Sequence, residues 1–221
     1  MRAPVHFLHI RKTGGMALKA ALAPLAAGRE LRLAEHGTTL PKIPEGERVV
    51  FVVRDPVARF VSGFNSRLRQ GRPLFDRPWN EAEAQAFARF KTPDALARAL
   101  HADSAEALSA MRAIRHVNQP LSDWLVSDAY LRERLDDIVW VGRTETLADD
   151  LEEIKRRLDL PQELRLPQDD VSAHRTPEGM DVALSDTGRA AIARWYEADV
   201  RLLEFLESVR ESLRKEKAPE R

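Results

Sequence analysis

The chain has 221 residues, with Lys plus Arg and Asp plus Glu at 35 each, so its formal net charge is zero. A neutral chain carries no bulk field for nucleic acid, and any anion site in it must be local. The absence of cysteine excludes a disulfide framework and thiol catalysis, and fits a reducing, cytoplasmic setting.

Val5 to Ile10 (VHFLHI) is an apolar run of about six residues, too short for a signal-peptide core or a membrane span, and the same is read elsewhere along the chain. The length suits one domain over 1–213, with a charged tail over 214–221. The first run is expected to be a strand, Arg11 to Gly15 a loop, and Met16 to Ala27 an amphipathic helix. Leu31 to Glu35 is expected as a short second strand ending at His36-Gly37. Arg48 to Val53 (RVVFVV) is β-branched and continuously apolar, as a strand covered on both faces must be. Pro56 then opens a helix running to about Arg69. Helices are expected across 80–134, and Ile138 to Gly142 repeats the strand pattern. Thr144 is expected to cap a helix whose Leu147, Leu151, Ile154 and Leu158 share a face. A long amphipathic helix starts near Ser185.

Strands alternating with helices imply an α/β fold: a three-layer α/β/α sandwich around a central parallel sheet. In such sheets ligands bind beyond the carboxyl ends of the strands. The loops at 11–17, 36–39 and 54–62 all follow strand-like runs and are expected to converge on that edge.

Lys12-Thr13-Gly14-Gly15 opens a helix. Glycines let backbone N–H groups approach a phosphate, the helix N-terminus adds partial positive charge, and Lys12 adds a full one. The alternative is a plain glycine turn with a solvated lysine. Its lysine precedes the glycines, so the segment is not the G-x-x-x-x-G-K-[ST] loop of nucleotide hydrolases. In Arg54-Asp55-Pro56-Val57-Ala58-Arg59-Phe60-Val61-Ser62, Arg54 at a strand tip and Ser62 on the following helix can together hold one phosphate. The alternative pairs Arg54 with Asp55 and leaves Arg59 solvated.

FLHIRKTGG, followed by VVRDPVARFVSGF, resembles the sulfotransferase superfamily, in the branch of the glycan 2-O-sulfotransferases (family 2) and their bacterial relatives. The resemblance extends through VGRTETLADDLEEI and the Ser172–Thr176 loop. It implies a fold like that of phosphate-loop nucleotide-binding proteins and a 3′-phosphoadenylyl sulfate (PAPS) donor. Arg11, Lys12, Thr13, Gly14, Gly15, Met16 and Ala17 would then face the phosphosulfate, Arg54 and Ser62 the 3′-phosphate, and Arg175 and Thr176 the nucleotide end. The family has Thr or Ser where this chain has Met16-Ala17, which removes two hydroxyl donors worth about 1.5–3 kcal/mol each to a charged group.

Sulfuryl transfer needs a base for the acceptor hydroxyl and a cation near the leaving oxygen. Lys12 suits the second role. His36, before Gly37 and between the two phosphate loops, suits the first, as in the glycan 2-O-sulfotransferases; His116 is the reserve. His6 and His9 are read as structural, and His101 as exposed. Arginines 67, 69, 72 and 77 form either a solvated loop or a guide for an acidic acceptor. No metal-ligand cluster is seen and none is expected. Competing readings are a nucleotide kinase, in which Thr13 imitates a magnesium-binding hydroxyl, and a non-catalytic PAPS-binding protein. The acceptor and the oligomeric state are not readable from the residues.

Overall fold

The computed structural model describes residues 3–26, 30–169, 177 and 179–216. Among them are four strands: β1 (Val5–Leu8), β2 (Leu31–Leu33), β3 (Arg48–Val53) and β4 (Ile138–Arg143). The helices are α1 (Gly15–Leu22), α2 (Pro56–Leu68), α3 (Glu81–Arg89), α4 (Pro93–His101), α5 (Ala105–Ala113), α6 (Ser122–Leu125), α7 (Asp128–Glu133), α8 (Leu147–Leu158), α9 (Asp186–Trp195) and α10 (Glu197–Lys215). The chain divides into two compact units, residues 1–54, 121–174 and 201–221, and residues 55–120 and 175–200.

The first unit carries the sheet, ordered β2-β1-β3-β4 with every pairing parallel. It is an α/β fold with helices against both faces, as the strand-helix alternation implied. Alternation along β3 decides which layer each side chain joins. Val49, Phe51 and Val53 pack with Leu125, Leu131, Leu202 and Leu206, from α6, α7 and α10. Val50 and Val52 turn the other way, onto Leu18 and Leu22 of α1 and Leu151 and Ile154 of α8. Burial on both faces is why β3 is apolar throughout.

One buried carboxylate ties β4 to α8 and α10. Asp150, 1% exposed, accepts from Trp140 Nε1 at 3.0 Å, the Arg143 N–H at 2.8 Å, Thr146 Oγ1 at 2.8 Å and Arg210 Nη2 at 2.7 Å. A buried charge persists only when it is paired and hydrogen-bonded, and Asp150 meets both conditions.

The second unit is helical, with α2, α3, α4, α5 and α9 around Phe60, Phe64, Phe87, Leu96, Met111 and Ile192. Arg67 and Glu83 meet there as a buried fork, with Nε–Oε1 2.7 Å and Nη2–Oε2 2.6 Å. Burial alone would raise the Glu83 pKa, but hydrogen bonds from Arg67 and from the backbone N–H groups of Arg115 and Asn80 hold it below the ordinary value.

Several expected boundaries move. β1 ends at Leu8, which puts His9 and Ile10 beyond the strand, and α1 gives way at Leu22 to a tight turn containing Pro24. β2 stops at Leu33, and the long helix from Ser185 is two helices meeting at Tyr196, whose hydroxyl donates to the Val117 carbonyl. Thr144 does not cap α8: its hydroxyl donates to the Val53 carbonyl at 3.3 Å, and the residue before the helix is Thr146. Residues 217–221 of the expected tail lie outside the described residues, and Arg214 and Lys215 are helical.

Asp150→Ala leaves the buried Arg210 guanidinium without its carboxylate, and urea denaturation is expected to show a loss of about 3–5 kcal/mol. A depressed carboxylate stabilises above its unfolded value, about 4.3 for Glu, and that stabilisation is lost as pH falls through the lower folded value. Glu83→Gln is therefore expected to flatten the fall in denaturation midpoint below that pH. An unchanged slope would contradict the assignment.

Candidate functional site

β2, β1 and β3 are neighbours in the sheet, so the segments leaving their carboxyl ends start side by side. The strand order reverses between β1 and β3, which is where open parallel sheets place ligands. Lys12 follows β1 and Arg54 follows β3, and an Arg54 Nη1 lies 3.5 Å from the Lys12 carbonyl oxygen.

Lys12 has φ 67°, in the left-handed region that a lysine avoids. Such conformations cost of order 1–3 kcal/mol and persist where the surroundings over-determine them. The residues around it are closely packed or hydrogen-bonded. Gly14, with φ 78°, precedes α1, and a Cβ there would lie 3.1 Å from Leu147 Cδ2 and 3.5 Å from Thr144 Cγ2. Thr144 is itself held by Val53 at the tip of β3. The Thr13 side chain is fully buried and its hydroxyl donates to the Ile10 carbonyl at 2.9 Å, so it braces the loop from within.

Gly15 opens α1 for a different reason. A Cβ there would stand 2.5 Å from Cδ2 and 2.8 Å from Nε2 of His9, so the helix start lies directly on an imidazole ring. Gly15 and Met16 hold the first helical N–H positions, where backbone donors find no intrahelical acceptor. Arg11, Lys12 and Met16 are half-buried, whereas Ala17 is 5% exposed and its N–H bonds the Gly14 carbonyl at 3.1 Å.

His36 sits half-buried in the turn after β2. Its carbonyl accepts from Trp124 Nε1 at 3.3 Å, and the Gly37 carbonyl accepts from Lys42 Nζ at 2.9 Å. Its ring centroid lies 3.9 Å from that of His9, at an interplanar angle of 40°. His9, read from the sequence as a strand histidine, is therefore part of this cluster. The signal for it was its place three residues before the lysine, and the strand pattern concealed it.

Most of the remaining residues belong to the second unit. Asp55 caps α2 by accepting from the Ala58 N–H at 2.8 Å. Ser62 is half-buried on α2. Arg59 is not solvated: it is 2% exposed and pairs with Asp199, itself 1% exposed, at 3.7 Å. The four arginines of the possible guide are all engaged. Arg67 is locked on Glu83, Arg69 donates to the Arg72 carbonyl, Arg72 pairs with Asp76, and Arg77 covers the Phe75 ring. His116 packs its backbone against Gly63, and His101 is exposed. A cavity of about 260 Å³ is lined by Met111, Val117, Pro120, Trp195, Tyr196 and Asp199, among others. Trp79 and Trp124 pack in cores. Arg175 and Thr176 lie outside the described residues.

Two loops that leave the tips of adjacent parallel strands carry the two motifs in their order along the chain. Residues 2–206 match the sulfotransferase family. The chain belongs to that family, in its family 2 branch. No curated protein and no solved structure gives a match. Membership makes the protein a sulfotransferase-family transferase in kind, whose chemistry joins a sulfuryl donor to a hydroxyl acceptor. Among the described residues, no group of His, Asp and Glu is placed to hold a metal ion, and no helix is long and apolar enough to cross a membrane.

If Lys12 is held in a left-handed conformation by its surroundings, Lys12→Gly is expected to be more stable than Lys12→Ala by about 1 kcal/mol. In an ordinary loop Gly loses to Ala, so urea denaturation of the two variants gives opposite orders for the two cases.

Proposed function

We propose that the protein transfers a sulfuryl group from PAPS to a hydroxyl of an acceptor molecule, without a metal. The observation that carries this is the adjacency of Lys12 and Arg54 at the tips of β1 and β3, in a chain of the sulfotransferase family. The glycine-rich start of α1 offers N–H groups and a helix dipole to the 5′ phosphosulfate. Lys12 gives the full charge that the backbone lacks. Arg54 offers its guanidinium to the 3′-phosphate, and Ser62 is the hydroxyl that the second motif assigns to the same group. Arg11 and Met16 contribute through the loop backbone, Ala17 through the loop's shape, and Arg175 and Thr176 belong to the nucleotide end.

In the reaction His36 takes the proton of the acceptor hydroxyl as its oxygen bonds to sulfur. The bond from sulfur to the bridging phosphate oxygen breaks, and its electron pair stays on that oxygen. Lys12 faces the charge that appears there, and adenosine 3′,5′-bisphosphate leaves. Thr13, with its hydroxyl turned to Ile10, acts as a brace for the loop. Arg67 is locked on Glu83 and cannot guide an acceptor, whereas Arg72 and Arg77 are exposed and leave the guide for an acidic acceptor open.

Calorimetric titration with adenosine 3′,5′-bisphosphate tests the donor site. Binding is expected to be unaffected by EDTA and weakened about 10- to 100-fold in Arg54→Ala, the loss of a charge-assisted hydrogen bond. Equal affinity of the variant, or collapse with EDTA, would contradict the proposal. The latter would favour a nucleotide kinase. Binding without transfer to any hydroxyl in a panel would favour a non-catalytic PAPS-binding protein.

A further inference from the structure

His9 is 2% exposed and lies between two groups of the site: Gly15, at the start of the donor helix, and the ring of His36. On one side the approach is so close that only glycine fits. On the other the two imidazoles overlap with centroids 3.9 Å apart. Phe7 lies two residues earlier, its centroid 6.1 Å from that of His9, so the ring has an aromatic neighbour within the core as well. A ring packed in this way has little rotameric freedom. His36 is half-buried on a turn where its own carbonyl accepts from Trp124 Nε1 and the Gly37 carbonyl accepts from Lys42 Nζ.

With His36 as the proposed base, we infer that His9 is its positioning residue: wedged against Gly15, its ring sets the plane of the His36 imidazole and its distance from the donor loop. A single buried ring thus links the helix start that would hold the phosphosulfate to the group that would take the acceptor proton. Misplacing a catalytic group by about 1 Å can cost about 10²-fold in rate, so a residue that touches no substrate can still control turnover.

Two variants separate this role from bulk packing. His9→Leu fills the space without a flat ring, and His9→Phe restores a ring without nitrogens. The histidine side chains are followed by NMR, with His36 assigned through His36→Gln. Turnover is followed as release of labelled sulfate from PAPS, with water as the acceptor, so that no acceptor need be known. There His36 takes a proton from water, oxygen bonds to sulfur, and bisphosphate leaves.

Wild-type protein is expected to show a nuclear Overhauser contact between the His9 and His36 rings. His9→Leu is expected to move the His36 resonances and to lower sulfate release about 10²-fold. Its melting temperature and its affinity for adenosine 3′,5′-bisphosphate are expected to stay near wild type. His9→Phe is expected to recover most of the rate. The inference is overturned if the rings show no contact, if His36 is unmoved in His9→Leu, or if that variant keeps wild-type turnover while His36→Gln loses it. Failure of the wild type to bind the bisphosphate sinks the donor-site proposal instead. The two resonance results then judge the His9–His36 coupling alone.

Discussion

The site depends on the parallel pairing of β1 with β3. β2 stands between them in the sequence, yet it takes the outer side of β1 and leaves the inner side to β3. The register aligns Val5 with Arg48 and Leu8 with Phe51, so the two strands end nearly level. Arg54 therefore reaches the Lys12 carbonyl. Nothing local to either motif could arrange this; it follows from a sheet whose middle strands are buried on both faces.

Around that pairing the loop is over-determined by small polar and steric contacts. Thr144 joins the β4–α8 junction to the tip of β3, Leu147 closes on Gly14, Thr13 turns inward to Ile10, and His9 fills the space under Gly15. The cost is concentrated at Lys12, which has a backbone that its side chain does not favour. In the proposed donor site such bracing would fix the backbone N–H groups before the donor arrives. The Met16-Ala17 departure fits the same picture. Ala17 is buried, with its N–H already bonded to Gly14, so that position contributes to the loop's shape.

The sheet and the order of its strands' loops were legible because apolar runs of β-branched residues and glycine-rich breaks record local physics. The family, too, was legible in two short motifs. Three features were not. The break at Tyr196 carries no glycine or proline to mark it, and the hydroxyl there is tied to the Val117 carbonyl by a tertiary contact. Arg59 looks like a solvent-facing helix residue, since its partner Asp199 lies far along the chain. His9 looked like one more strand residue, because a run of apolar neighbours does not say that β1 ends at Leu8 and frees the next ring to meet His36.

The most direct test of the central claim is to follow the labelled sulfuryl group of PAPS in the presence of EDTA and a panel of hydroxyl acceptors, from simple alcohols and phenols to glycans. The account expects label to appear on one acceptor in step with adenosine 3′,5′-bisphosphate, and to be lost in Lys12→Ala. Label that stays on PAPS despite tight binding of the bisphosphate would contradict it, and would leave a nucleotide-binding protein in place of a transferase.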